Sequence, residues 1–171
     1  MLDPKMEKAL NAQINAEHYS AFLYLAMAAQ FADLGMPGGQ QWMTTQFKEE
    51  LVHAQVFFDY VVERGGRAKL EAIDKPGSKW ASGTKMFEDA YAHEQHVTAL
   101  IHDMASLALE LKDHATYQFL QWFIAEQVEE EATASDFLQK FKMAEKSAAG
   151  LYQLDKELGA RVFASPTIYA W

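Results

Sequence analysis

Apolar residues recur at three- and four-residue intervals in four long stretches of the chain. Leu10, Ile14, Ala21, Tyr24, Ala28 and Phe31 share one helical face in the first stretch, and Met43, Phe47, Ala54, Phe57 and Val61 do so in the second. Phe87, Ala90, Tyr91, Val97, Ile101 and Met104 form the third stripe; Phe119, Phe123, Ala134, Phe137 and Phe141 form the fourth. The breaks between them are marked by glycine, proline and charge. Asp3-Pro4 starts the first helix as an N-cap followed by proline at the first helical position, and the helix ends before Gly35. The spacing predicts further helices over about 38–64, 83–111 and 114–143, with Ser82 as an N-cap, Lys112-Asp113 as a tight turn and a short fifth helix near 147–158. Residues 65–82, with Gly65-Gly66 at their start, read as a long connector.

Four helices of nearly equal length, about 40 Å each at 1.5 Å per residue, predict an all-α four-helix bundle. A connector of that length spans up to about 60 Å, enough to return along the whole bundle. The expected architecture is therefore two antiparallel hairpins joined by a crossover. A bundle with its short fifth helix occupies 1–158, and an apolar tail occupies 159–171.

Composition narrows the chemistry. Twenty-four acids against fifteen bases leave a formal charge of −9, which argues against nucleic acid and anionic membranes and is compatible with cations as clients. The absence of cysteine excludes disulfides, thiolate metal sites and thiol catalysis. The longest apolar run, residues 21–29, is too short to cross a bilayer, and the first residues carry no apolar signal segment, so a soluble cytoplasmic protein is expected.

The acids are not distributed at random. Glu17, Glu50, Glu94 and Glu130 each fall on the apolar stripe near the middle of their own helix, with His53 and Gln127 on the same faces. Adding 77 carries Glu17 to Glu94, Glu50 to Gln127 and His53 to Glu130. Buried carboxylates at one level repel and would take up protons unless a cation sat among them. Carboxylate oxygens with an imidazole suit iron or manganese. Two hairpins that each supply a Glu and an i, i+3 pair are what a two-metal bundle site requires, and the altered second pair, Gln127 and Glu130, predicts unequal sites. The first would use Glu17, Glu50 and His53, and the second Glu94 and Glu130 with Glu50 bridging. His18, His93, His96, His102 and His114 lack a ligand pattern and read as surface or packing residues.

At these residues the chain resembles the bacterial non-haem ferritins, through LNAQINAEHYS at 10–20, EELVH at 49–53, FLQWFIAEQVEEE at 119–131 and GLYQLDKEL at 150–158. The resemblance implies a ferritin-like fold and a cytoplasmic homo-oligomeric shell of 24 subunits. That shell would oxidise Fe(II) with O2 or peroxide at an intrasubunit diiron centre and store the ferric mineral. It implies Gln127 beside the second iron and a nearby third iron site at Glu49, Glu126 and Glu129. It also brings Tyr24 and Trp122 to the diiron centre, where core packing and a redox or supporting role both remain open. No haem is expected: the haem-binding relatives repeat Glu-x-x-His where this chain has Gln127-x-x-Glu130, and they carry methionine at the position of Leu51. The tail would line or plug a four-fold channel, reach the cavity, or fray. The rival classes are a non-storing diiron oxidase or peroxidase of the rubrerythrin kind and a non-enzymatic bundle.

Overall fold

The computed structural model describes residues 2–165, and among them the only regular elements are five helices. These are α1 (Pro4–Asp33), α2 (Pro37–Glu63), α3 (Gly83–Glu110), α4 (His114–Ala144) and α5 (Ala148–Leu158). Their ends follow local chemistry. The Asp3 carboxylate accepts the Lys5 N–H, Ser82 accepts the Lys85 N–H, Asp113 accepts the Thr116 N–H, and Ser147 accepts the Gly150 N–H. Gly35, at φ +70°, turns the chain out of α1 in the left-handed region that an L side chain resists.

α1 packs on α2 and α3 on α4, α1 also meets α3, and α5 packs against both α2 and α4. The connector runs the length of α1. Near its start the Asn11 side chain bonds the Arg67 carbonyl and the Lys69 N–H, and near its end the Trp80 N–H reaches Gln30 Oε1. α3 therefore begins beside the C-terminal end of α1, which is the crossover expected from the connector's length. No helix among the described residues is long and apolar enough to cross a membrane.

The core divides into two apolar clusters. One gathers Met6, Leu10 and Ile14 of α1, Phe57 and Val61 of α2, Ile101 and Met104 of α3, and Phe119 and Phe123 of α4. The other gathers Tyr24, Met27 and Phe31, then Trp42 and Met43, Met86 and Phe87, Phe141, and Leu154 and Leu158 of α5. Each long helix contributes early residues to one cluster and late residues to the other. Between them, at mid-helix, lie Gln13, Glu17, Ser20, Gln46, Glu50, His53, Glu94, Gln127 and Glu130, all buried. A core this polar at its waist forgoes apolar burial in the layer between the two clusters.

Gly38 lets α5 dock. A Cβ there would stand 1.6 Å from the Asp155 carbonyl oxygen, and the Asp155 carboxylate accepts the Gly39 N–H at 2.8 Å. α5 thus caps the N-terminus of α2 and directs the chain after it back onto that helix.

Candidate metal centre

The mid-bundle layer is built by spacing within each helix. Glu50 and His53 are one turn apart on α2, with His53 Nδ1 3.6 Å from Glu50 Oε2. Together with Glu17 of α1 they form the one group of three or more His and acidic side chains, among the described residues, whose ligand atoms lie within 4.8 Å of one another. All three are 2–3% exposed. His53 Nε2 is buried with no hydrogen-bond partner, which is rare for an imidazole in a folded core. Phe123 and Trp122 close over the ring, with centroids 5.8 and 5.5 Å from it.

Glu94 and Glu130 face the same layer from α3 and α4, but hydrogen-bond donors of the chain hold them. The Tyr24 hydroxyl donates to Glu94 Oε1. Gln127 Nε2 lies 3.2 Å from Glu94 Oε2, and it also reaches the Glu94 carbonyl and Thr98 Oγ1. Gln127 therefore turns its N–H groups, not its oxygen, toward Glu94. On the other side Gln46 Nε2 donates to Glu130 Oε2 at 2.8 Å and Glu50 Oε1 at 3.1 Å, and Gln13 Nε2 donates to Glu17 Oε1 at 2.8 Å. The structure thus gathers one expected ligand set, Glu17, Glu50 and His53, into a compact triad. The second set is arranged around amide and phenol donors.

The electrostatics of this layer follow from burial. Desolvation and the Glu94 carboxylate push Glu50 up to about 8. Burial foremost, then Glu50, raises Glu17 well above the usual carboxylate range. Burial also raises Glu94, and burial with the neighbouring Glu94 and Glu50 charges raises Glu130. Tyr24 is driven well above its ordinary value by burial and by Glu94, so its hydroxyl stays protonated and donates. Such a cluster binds either protons or a metal cation, and a cation entering releases the protons.

The outer acids are separate. Glu49 and Glu126 are partly buried and Glu129 is exposed. Burial raises both Glu49 and Glu126. Glu49 pairs with Arg161 from beyond α5. Of the histidines read as packing or surface residues, His96, His102 and His114 are exposed. His93 is a packing residue: its Nε2 lies 2.7 Å from Ser20 Oγ, and its ring stands edge-on to Tyr24.

Several residues that shape the site escaped the sequence. Gln13 and Gln46 each stand four before a ligand-type glutamate, on its face, and that i−4 spacing was the available signal. Arg161 had none, because its partners lie more than a hundred residues away.

Fold and site together define a class: a four-helix bundle whose core carboxylates and imidazole are arranged for cations. Residues 7–144 match the ferritin-like domain model. The chain is 41% identical over 161 residues to a bacterial non-heme ferritin of Bacteroides fragilis, covering 94% of this chain and all of that one. It is 36% identical over 158 residues to the one from Escherichia coli O157:H7, covering 92% and 96%. A solved open pore ferritin of Archaeoglobus fulgidus superposes with a TM-score of 0.94 at 50% identity, over 95% of this chain and all of that one. An engineered closed form of the ferritin from that organism gives 0.94 at 51%, over 96% and 100%. The chain belongs to the ferritin family.

Proposed function

We propose that this protein is an iron-storage ferritin whose substrate, Fe(II), is oxidised at a pair of sites within each subunit and kept as ferric mineral in a cytoplasmic shell of 24 copies. The carrying observation is the buried Glu17, Glu50 and His53 triad with its unpartnered imidazole nitrogen. Donors of this type and number suit Fe(II), and burial raises the Glu17 and Glu50 carboxyl groups so that they hold protons until a cation replaces them.

The first iron takes Glu17, Glu50 and His53. The second takes Glu94 and Glu130, with Glu50 shared between the two and Gln127 beside it. Two ions at about 3.5–4 Å deliver two electrons together, one from each Fe(II), and with two protons O2 leaves as hydrogen peroxide; peroxide serves as an alternative acceptor. The chain's part is positional. Tyr24 and Gln127 orient Glu94, Gln46 holds Glu50 and Glu130 together, and Trp122 and Phe123 fix the His53 ring. Looser ligation at the second site suits iron that must move on toward the outer acids Glu49, Glu126 and Glu129 and then the cavity.

The test is Glu50→Ala. The variant should fold and assemble, with the mass of 24 chains of 19.3 kDa, about half a megadalton. Fast Fe(II) oxidation, followed by the rise of ferric absorbance after mixing with aerated buffer, should be lost. Undiminished rates in this variant would overturn the assignment.

A further inference from the structure

The chain supplies a cation of its own to the outer acids. After α5 it turns at 159–160 and runs without helix through 161–165 along α2. There the Arg161 guanidinium donates from Nη1 to Gln46 Oε1 at 2.7 Å and from Nη2 to Glu49 Oε2. Its Cζ lies over the Trp42 ring, 4.4 Å from the centroid. Gln41 Nε2 reaches the Arg161 carbonyl at 3.5 Å, and Lys48 Nζ stands over the Phe163 ring two residues on. A side chain with a stacking face, a charge partner and an amide partner is held, not waving in solvent.

The contact with Gln46 reaches the core. An amide has one accepting and one donating end. Because Arg161 takes the oxygen of Gln46, the N–H groups must point the other way, and there they meet Glu50 and Glu130. One guanidinium thus closes Glu49 and sets the polarity of the amide spanning two inner carboxylates. Its charge also acts on Glu126 and Glu130.

We propose that Arg161 is a displaceable cation at the outer carboxylates: it holds Glu49 in the metal-free protein, and a metal ion reaching Glu49 must lift it away, freeing Gln46 from its hold beside Glu50 and Glu130. This rests on the reading of the acids as a metal centre and makes Arg161 a positioning residue, not a ligand. A cation replaces a cation, so the partly buried Glu49 is never left unpaired. Metal at the outer acids and the state of the inner site are then coupled through one side chain, and the coupling runs equally in both directions.

The test uses Zn(II), which binds oxygen and nitrogen donors without redox change, on the assembled protein. Calorimetric titration is read beside anomalous scattering from zinc-soaked crystals. In Arg161→Gln the outer site at Glu49 should bind zinc about tenfold more tightly than in the wild type, since one charge-assisted competitor is gone. Arg161→Lys, which keeps the charge, should lie near the wild type. Lys48→Gln, which removes a neighbouring charge from the same helix, should change the outer affinity by less than about threefold. In wild-type crystals with zinc at Glu49, the Arg161–Glu49 pair should be broken. Equal outer affinity in Arg161→Gln and the wild type overturns the proposal, as does zinc on Glu49 with the pair intact. If Arg161→Gln does not assemble, the wild-type crystals decide alone. Zinc absent from Glu17, Glu50 and His53 in the wild type would instead overturn the metal-centre reading itself.

Discussion

Gln46 Nε2 of α2 lies 2.8 Å from Glu130 Oε2 of α4, across the middle of the bundle and 84 residues away in the chain. The same nitrogen is 3.1 Å from Glu50 Oε1, so one amide draws together two carboxyl groups that would otherwise repel. Replacing Gln46 by Leu removes that donor and leaves two buried acids with fewer partners. The metal-free protein should lose about 1–3 kcal/mol, a fall in Tm of roughly 3–10 °C by calorimetry. With zinc bound the loss should shrink, because the ion then occupies the acids. A Tm equal to wild type without metal would show that the amide is not what holds this layer.

Tyr24 offers its hydroxyl to Glu94 from a fully buried position. Tyr24→Phe keeps the ring and its packing while removing the donor. Supporting hydrogen bonds of this kind change metal-site behaviour by about tenfold or more. The expected outcome is Fe(II) oxidation slowed about tenfold in rapid-mixing experiments, with the tight zinc affinity nearly unchanged. An unaltered rate would assign Tyr24 to core packing.

Acidity gives a signed expectation. An acid raised by the fold keeps its proton where the unfolded chain has lost it. Its contribution is therefore full below the ordinary value of 4.5 and declines as pH rises toward the folded value, about 8 for Glu50. Glu17, Glu94 and Glu130 act in the same direction. His93 is opposite: burial, then His96, lowers it from 6.5 to about 4, so its contribution is lost as pH falls through that window. From pH 6.5 to 8 the acids act without that opposition. The Tm of metal-free protein should fall across this range, and saturating zinc should flatten or reverse the slope by taking the protons' place. A metal-free Tm that holds level or rises would contradict the burial-driven account.

Gly38 permits the close approach of α5. Gly38→Ala would set a methyl group 1.6 Å from the Asp155 carbonyl oxygen, which no rotamer change relieves because the obstacle is backbone. α5 should lift from α2, and the Asp155 cap on the Gly39 N–H and the Arg161 contacts should go with it. Hydrogen exchange across 148–158 should accelerate markedly while the middles of α1–α4 stay protected. Unchanged exchange in α5 would mean that α4 alone holds the fifth helix.

Much of this was legible along the chain. The helix boundaries expected from capping and spacing lie within one or two residues of those observed, because Asp3, Ser82 and the residues after each helix act on their immediate neighbours. The crossover followed from connector length. The layer of acids could be placed because each glutamate sits at mid-helix on an apolar stripe, and helical periodicity then forces it inward whatever the partner helix is.

Other features depended on which atoms meet across the bundle. Which acids converge into a triad, and which are held by Tyr24, Gln46 and Gln127, depends on side-chain direction at contacts 33 to 84 residues apart. The tail beyond Leu158 read as an apolar segment that would line or plug a channel, reach the cavity or fray; its last residues, 166–171, lie outside those described, and its beginning carries Arg161 onto Gln46 and Glu49. No local pattern encodes that contact, because α5 must first dock at Gly38. Periodicity is a property of one helix and can be read from its residues, so the sequence by itself determined four amphipathic helices with acids at their waist. Pairing is a property of two surfaces brought together, so only the tertiary structure decided which acid a proton, an amide or the chain's own arginine holds in the metal-free protein.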